Sequence, residues 1–570
     1  MMTYPNFPER TTFELDGVWD FAWLGNTVPL ADFQPSDDLV FDEKEAVPGV
    51  FDMGVKRYEA RGLGVYRTRV KNVPAGKLRL KIGGLGLVAR IYWDGVLTGT
   101  ADCAYLPVTC DFQNRIAGEH TLIIAVDNRY ASQPYPFFRA GYDFYAFGGI
   151  YRSVRLSVLP ETDRIERVQI TTEDLAAGTV RLRVLLPENA DGTVALDIAF
   201  DQGKPETYHC AVKDGAAVLV LPVPSFRCWS PESPFLHTVT VRTDGDRIVE
   251  RFGIRTIEAR NGKLYLNGSE LYLHGVNRHA SRSQSGPVET VHEMMEDIHL
   301  IKHAGMNFVR SVHYPQDQTW LDLCDENGLL VWEETLGWGL REDAVTEQTM
   351  ELFAGQNRLM IRESFNHPSI IIWAMLNECA SQMEESRPVY GYLLRDMKVE
   401  DPSRLRSYAS CMHTSDICFD EADVISLNTY PGWIGEAGDS ETLASEYIPP
   451  RVKDLADHYV QEQFCGKPIL MSEIGACGLY GFHDRNYAPW SEEFQADYMS
   501  KAVQAICADS RYCGYALWQF CDTRSYQRGA IRGKTRGFNC AGLVDEYRRI
   551  KLVYEAVAET IRNAGKKGEK

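Results

Sequence analysis

The sequence predicts a multidomain chain in which two all-β segments precede a (β/α)8 TIM barrel. Three observations lead there. At 570 residues the chain exceeds one ordinary hydrophobic core. Up to residue 260, short alternating apolar–polar runs are separated by Gly, Asp and Asn turns, the mark of half-buried strands. Beyond that point strand-like and helix-like runs alternate, which is the rhythm of a parallel barrel.

In chain order, "KLRLKIGG", "ARIYWDGVLTGT" and "HTLIIAVDN" read as strands of a first β domain over residues 1–160. A proline and charges in "SVLPETDRI" interrupt the pattern. A second series follows, with "RVQITTE", "TVRLRVLLP", "VALDIAF" and "AVLVLPVP", and predicts an immunoglobulin-type β-sandwich over 161–257. The barrel is assigned to 258–570. Its strand candidates are "LYLHGV", "NFVRSVHY", "LLVWEE", "IIIWAML", "RLRSYAS", "VISLNTY", "ILMSEIG" and "GYALWQF". "RLRSYAS" has the weakest pattern and is accepted because an eight-stranded barrel needs it. Between the first two lies "ETVHEMMEDIHLIKHAG", with apolar i, i+3, i+4 spacing and Gly305 as the expected C-cap.

Composition excludes several classes of function. With 60 Lys+Arg against 79 Asp+Glu and a net charge of −19, the chain lacks the surplus cations of a general nucleic-acid binder. It has no apolar run of 18 residues and no basic-then-apolar N-terminal stretch, so neither a spanning helix nor a signal peptide is expected. The 14 Cys lack framework spacing and form no Cys-x-x-Cys pair; free, semi-buried thiols point to a cytoplasmic protein. The segment "GAIRGKT" falls short of a phosphate loop, because Gly529 and Gly533 enclose three residues where the motif needs four. His292, His299 and His303 have helical spacing, but with Glu293, Glu296 and Lys302 around them they read as a solvated helix face rather than a metal site. No metal and no cofactor is expected. The remaining prospect for the basic segment is one small anion.

In a TIM barrel the chemistry sits at the C-terminal strand ends. There the sequence offers His313, Glu333 and Glu334, Asn377 and Glu378, Asn428 and Tyr430, Glu473, and Trp518. Carboxylates on the fourth and seventh strands meet across the mouth, and two carboxyls facing a cleft suit glycoside hydrolysis. Glu378, as the acid, should be the less solvated of the two or the more affected by its neighbour's charge. Glu473 should sit among donors that keep it ionised. Asn377 offers an amide for the sugar 2-OH. Glu333 and Glu334 are adjacent, so only one of them can face the cleft. Any single strand-end Glu can instead be a salt-bridge partner or a helix cap.

Together these residues resemble glycoside hydrolase family 2. "HGVNRH" (274–279), "NFVRSVHYP" (307–315), "NHPSIIIWAMLNE" (366–378) and "ILMSEIG" (469–475) match its barrel strands in order, and "GGIYRSV" (148–154) matches the end of its first domain. The resemblance spans almost the whole chain. It implies a sugar-binding jelly roll, an immunoglobulin-like domain and a barrel that performs retaining exo-hydrolysis of a small glycoside. It places the acid/base at Glu378 and the nucleophile at Glu473. A homo-oligomer is also expected.

Through "WSEEFQADY" (490–498) and "LWQF", the β-glucuronidase branch is the most similar. By that resemblance Asp143 reaches sugar hydroxyls, and His313, Asn377, Tyr430 and Trp518 line the subsite of the non-reducing sugar. The branch binds the sugar carboxylate with Asn-x-Lys; here the residues are Asn539, Cys540 and Ala541, and the tyrosine expected four positions past Tyr430 is Ile434. A buried carboxylate needs a cation, and Arg341, Arg532 or Arg536 are the candidates. These arginines can equally pair with Glu342, Asp343, Asp545 or Glu546 nearby. The expected substrate is a β-hexuronide, galacturonide before glucuronide. A neutral β-galactosidase is the alternative, and a non-catalytic carbohydrate-binding protein a remote one.

Overall fold

The computed structural model describes residues 4–135, 137–138, 142–341, 343–432, 444–460, 464, 466–526 and 535–568. The chain forms two compact units. One comprises Met1–Phe226, His237–Phe252 and Ala280–Glu289; the other comprises Arg227–Leu236, Gly253–His279 and Thr290–Lys570.

In the first unit a six-stranded and a four-stranded antiparallel sheet pack face to face as a jelly-roll sandwich. Strand alternation builds its core. Along Gly76–Ile82, Leu78, Leu80 and Ile82 point inward and meet Phe21, Tyr66, Ile91 and Ile124 of the other sheet. A seven-stranded antiparallel sheet running from Arg167–Asp174 to Arg247–Phe252 forms the immunoglobulin-like part. Its strand Thr179–Leu185 buries Val180, Leu182 and Val184 in the same alternating manner.

The second unit is a closed barrel of eight parallel strands: β1 (Leu273–Arg278), β2 (Phe308–Ser311), β3 (Leu330–Glu334), β4 (Ile370–Met375), β5 (Leu405–Ser410), β6 (Ile425–Asn428), β7 (Ile469–Ile474) and β8 (Tyr512–Leu517). All eight expected strands are present. β5, the weakest in pattern, is buried at every position and pairs in register with β4 (Ile372 with Leu405) and β6 (Ala409 with Ser426). Leu273 to Val276 on β1 pair with Gly514 to Leu517 on β8 and close the ring. Gly275 allows β1 to lie this close to its neighbour, since a Cβ there would stand 2.4 Å from Phe308.

The helix after β1, Val291–His303, opens on a capping box between Thr290 and Glu293 and buries Met294, Ile298 and Ile301 along one face. Its last cap is Ala304; Gly305, expected there, follows one position later with φ 85°, the left-handed residue that ends the turn. His292, His299 and His303 are exposed, as a solvated face requires, and His303 bonds the Tyr554 hydroxyl through Nδ1 at 3.1 Å. No helix among the described residues is long and apolar enough to cross a membrane.

Candidate active site

The mouth of the barrel is organised around one cation that none of the sequence expectations singled out. Arg310 on β2 is fully buried. It donates from Nε and Nη2 to the two oxygens of Glu334 at 3.0 and 3.1 Å, from Nη1 to Glu473 Oε1 at 2.5 Å, and from Nη2 to Asn377 Oδ1 at 2.8 Å. A further Nη1 bond reaches Asn277 Oδ1 at 3.2 Å. Asn277 on β1 is itself fixed by donating to the carbonyls of Ser472, Ala516 and Leu517. A guanidinium so surrounded is held in one orientation, and its charge opposes the cost of burying two carboxylates.

Glu473, at the end of β7, is 3 % exposed and takes a second bond, from the Tyr430 hydroxyl, on Oε2. Burial pushes its pKa above the ordinary Glu range, with the charge of Glu334 adding to that; Arg310 and Tyr430 pull it back. The Arg310 guanidinium is raised above its ordinary value by the same two carboxylates.

Glu378 lies just past β4, with φ 52°, and accepts from Asn428 Nδ2 at 3.0 Å. Asn428 Nδ2 also donates to Asn377 Oδ1 at 3.1 Å, and Asn428 Oδ1 accepts from Ser472 at 2.8 Å. A chain of bonds thus runs Glu378–Asn428–Asn377–Arg310–Glu473. Of the two grounds expected to set Glu378 apart, lower solvation is not met and the order is reversed: Glu378 is half-buried while Glu473 is nearly inaccessible. The reversal follows from position, because β7 ends with Glu473 still inside the barrel, whereas Leu376 and Glu378 turn out of β4 through left-handed backbone toward the rim.

The adjacent pair on β3 splits as strand geometry requires. Glu334 faces inward, accepting from Arg310, from Trp332 Nε1 at 2.7 Å and facing His313 Nδ1 at 2.8 Å. Glu333 faces outward, where it accepts from the Gln316 amide. In Asp322, Asp325 and His367, the grouping among the described residues whose ligating atoms come close enough to hold an ion, His367 Nδ1 and the Asp325 carboxylate share a 2.6 Å bond.

Aromatic rings wall the other side. His313 stacks on Trp518 at 5.4 Å, and His279 meets Trp518 edge-on at 5.7 Å. Trp518 also belongs to an apolar cluster with Val312, Cys477 and Ala541, against which Tyr430 and Trp490 pack. Two donors in this region are buried and make no bond among the described residues: Asn377 Nδ2 and Trp518 Nε1. Such donors suit a polar ligand, since leaving them unpaired costs about 1–3 kcal/mol each. Cys411 follows β5, and burial together with the charges of Glu378 and Glu473 pushes its thiol up.

His313, Asn377, Glu378, Tyr430, Glu473 and Trp518 are therefore joined in one network of bonds and ring contacts. Asp143 is a buried residue of the first unit. Asn539 is fully buried, and its side-chain oxygen accepts from the Ala541 amide at 3.2 Å. Arg341 is exposed after β3. Arg536 is engaged with Glu546 at 2.9 Å, one of the pairings left open by the sequence. Arg532 and Ile434 lie outside the described residues. Beyond the residues the sequence offered, the structure adds Arg310 and Asn277, and it gives the strand-end candidates Glu334 and Asn428 their partners. A lone arginine inside the apolar run "NFVRSV" was the available signal for the first.

Residues 257–551 match the family model "Glycosyl hydrolases family 2, TIM barrel domain", and residues 164–255 match "Glycosyl hydrolases family 2". The chain is 31 % identical to a GH2 beta-galacturonidase from Eisenbergiella tayi, solved bound to galacturonate, with a TM-score of 0.86 over 99 % of this chain and 98 % of that one. It is 26 % identical to a beta-glucuronidase of Streptococcus agalactiae over 91 % of this chain and 92 % of the relative. A beta-galactosidase of Thermoanaerobacter pseudethanolicus is 29 % identical over 57 % of this chain and 48 % of its own.

Proposed function

The chain belongs to glycosyl hydrolase family 2 and is an exo-β-glycosidase, and from that premise we propose that it releases terminal β-linked hexuronic acid, galacturonide in preference to glucuronide, by double displacement. The observation that carries the mechanism is the asymmetry of the two carboxyls. Glu473 is gripped by Arg310 and Tyr430, whereas Glu378 stands nearer the rim with Asn428 as its donor.

In the first step Glu473 attacks C1 while Glu378 gives its proton to the departing glycosidic oxygen, leaving a glycosyl ester on Glu473. In the second, Glu378 takes a proton from water as the water attacks C1 and Glu473 leaves. Two inversions restore the β configuration. Glu378 is the more exposed of the pair, and the Asn428 amide donates to it. Asn377 Nδ2 is the donor for the sugar 2-OH, a bond that strengthens as C1 becomes cationic.

Two features support the choice of sugar. The chain resembles a beta-galacturonidase along nearly its whole length. It also carries Ala541 where the glucuronidase branch has its carboxylate-binding lysine, and Ala541 is buried in an apolar cluster. A lysine restored there meets Trp518, Cys477 and Val312 rather than open space. Ala541→Lys is therefore expected to lower stability by about 1–3 kcal/mol through overpacking and to bring no gain in glucuronide turnover, as followed by denaturant unfolding and a 4-nitrophenyl β-D-glucuronide assay.

Tyr430→Phe removes one of the two donors that hold the Glu473 pKa down. The ionised nucleophile exists above that pKa and is lost as pH falls through it. The acid limb of kcat/KM is expected to move to higher pH in the variant; an unmoved limb excludes Glu473 as the group that sets it.

The test of the sugar is a panel of 4-nitrophenyl β-D-galacturonide, glucuronide, galactoside, glucoside and mannoside. The galacturonide should give the highest kcat/KM. A galactoside preferred over both uronides by orders of magnitude makes the protein a neutral galactosidase instead.

A further inference from the structure

Lys551, immediately before the helix Leu552–Gly568, is fully buried. Its ammonium donates to Asp522 Oδ1 at 2.7 Å, to the Gly478 carbonyl at 2.8 Å and to the Cys540 carbonyl at 3.1 Å. An ammonium has three donors, and all three are used. The three acceptors belong to separate stretches of chain at the C-terminal ends of the strands: the loop after β7, the segment just past β8, and the segment 539–544 that carries Asn539 and Ala541.

These stretches are closely interlocked. The Gly542 amide donates to Asp522 Oδ1 at 2.9 Å, and Gly478 donates to the Cys540 carbonyl at 3.0 Å. The Gln519 amide donates to the Ala541 carbonyl at 3.0 Å, and Leu543 donates back to Gln519 at 2.9 Å. Position 542 admits only glycine, since a Cβ there would lie 2.3 Å from Asp522 N. Trp518, Cys477 and Ala541 of these stretches share one apolar cluster, against which Tyr430 packs, and the Tyr430 hydroxyl bonds Glu473.

We propose that Lys551 is a positioning residue for sugar binding: its ammonium fixes the segment 539–542 against the loop after β7 and the chain past β8, and so sets the wall formed by Ala541 and Trp518. A buried ion pair is weak as a source of stability, because apolar groups of similar volume serve as well or better. What the ammonium supplies that an apolar side chain does not is three directional bonds to three loops. Lys551 touches no substrate atom and acts through the Cys540 and Gly478 backbone. The proposal rests on the barrel mouth being the sugar pocket.

The test compares Lys551→Met, which leaves Asp522 buried without its cation, with the double variant Lys551→Met/Asp522→Asn, which removes both charges and keeps an acceptor for the Gly542 amide. Each is assayed on whichever aryl glycoside of the panel the wild type turns over best. In the double variant KM is expected to rise at least tenfold with kcat within threefold of wild type, and amide exchange at residues 539–544 to quicken at least tenfold. An unchanged KM, a loss confined to kcat, or a double variant that does not fold overturns the positioning role, the last by making Lys551 a stability element. If the wild type hydrolyses no glycoside of the panel, the proposed function falls; the exchange measurement still decides whether Lys551 holds the segment, and unchanged exchange overturns that.

Discussion

Glu473→Gln is expected to lower kcat on every β-glycoside the protein hydrolyses by about 10⁴-fold or more, the scale of removing a covalent nucleophile. Gln keeps the size of the side chain and one oxygen for the Arg310 bond, and its NH2 faces the Tyr430 hydroxyl, which can turn to accept, so the fold survives. Indeed the variant should unfold at the same or a higher denaturant concentration, since burial and the charge of Glu334 both disfavour ionised Glu473. Activity lost without stability separates a nucleophile from a structural carboxylate. Glu378→Ala supplies the complementary measurement. A 2,4-dinitrophenyl glycoside needs little help in leaving and should retain much of its first-step rate, whereas a poor leaving group should lose about 10²–10⁴-fold. Azide, which needs no general base, should rescue the second step and give a β-glycosyl azide. Unchanged hydrolysis by Glu473→Gln, or an α-azide from Glu378→Ala, would exclude double displacement on these two residues.

The parts of this protein that repeat were legible in its sequence, and the parts that depend on one long-range partner were not. All eight barrel strands appear where the alternation of strand and helix put them, because a parallel strand buried on both faces leaves a short apolar run whatever surrounds it. Glu378 and Glu473 were singled out because barrel chemistry sits at strand ends. Arg310 lies on a strand just as visible, but its meaning comes from Glu473, which is 163 positions away. Lys551 is a sharper case. In "EYRRIKLVYEAV" it reads as one more surface cation before a helix, and it is buried only because Gly478 and Asp522, 73 and 29 positions back, converge on it. The relative solvation of the two glutamates, one of the two grounds offered for the acid, was not legible for a similar reason: it depends on how far each strand carries its residue toward the rim. The sequence residues 527–534, with Arg532 among them, fall outside the described structure.

Arg310→Met is expected to cost about 3–5 kcal/mol of stability, the range for removing one side of a buried charge cluster, and to lower kcat/KM by about 10³-fold or more. Both effects come from one geometry. With the guanidinium gone, Glu334 and Glu473 remain buried as like charges, and the Asn377 oxygen loses a donor. Both carboxyls already stand above their ordinary values through burial, and removing the cation that pulls them down raises them further. A carboxyl raised in this way favours the fold while protonated and opposes it once ionised. The stability deficit of Arg310→Met against wild type should therefore be smallest at acid pH and grow as pH rises through the carboxyl range, with the same sign as for a lost exposed salt bridge but displaced to higher pH. Arg310→Lys tests charge against shape. An ammonium restores the positive charge but cannot span both Glu334 oxygens while also reaching Glu473 and Asn377. It should recover most of the stability and leave kcat/KM well below wild type. If instead lysine restores full activity, the guanidinium serves only as a counter-charge, and the orientation of Asn377 and Glu473 has another source.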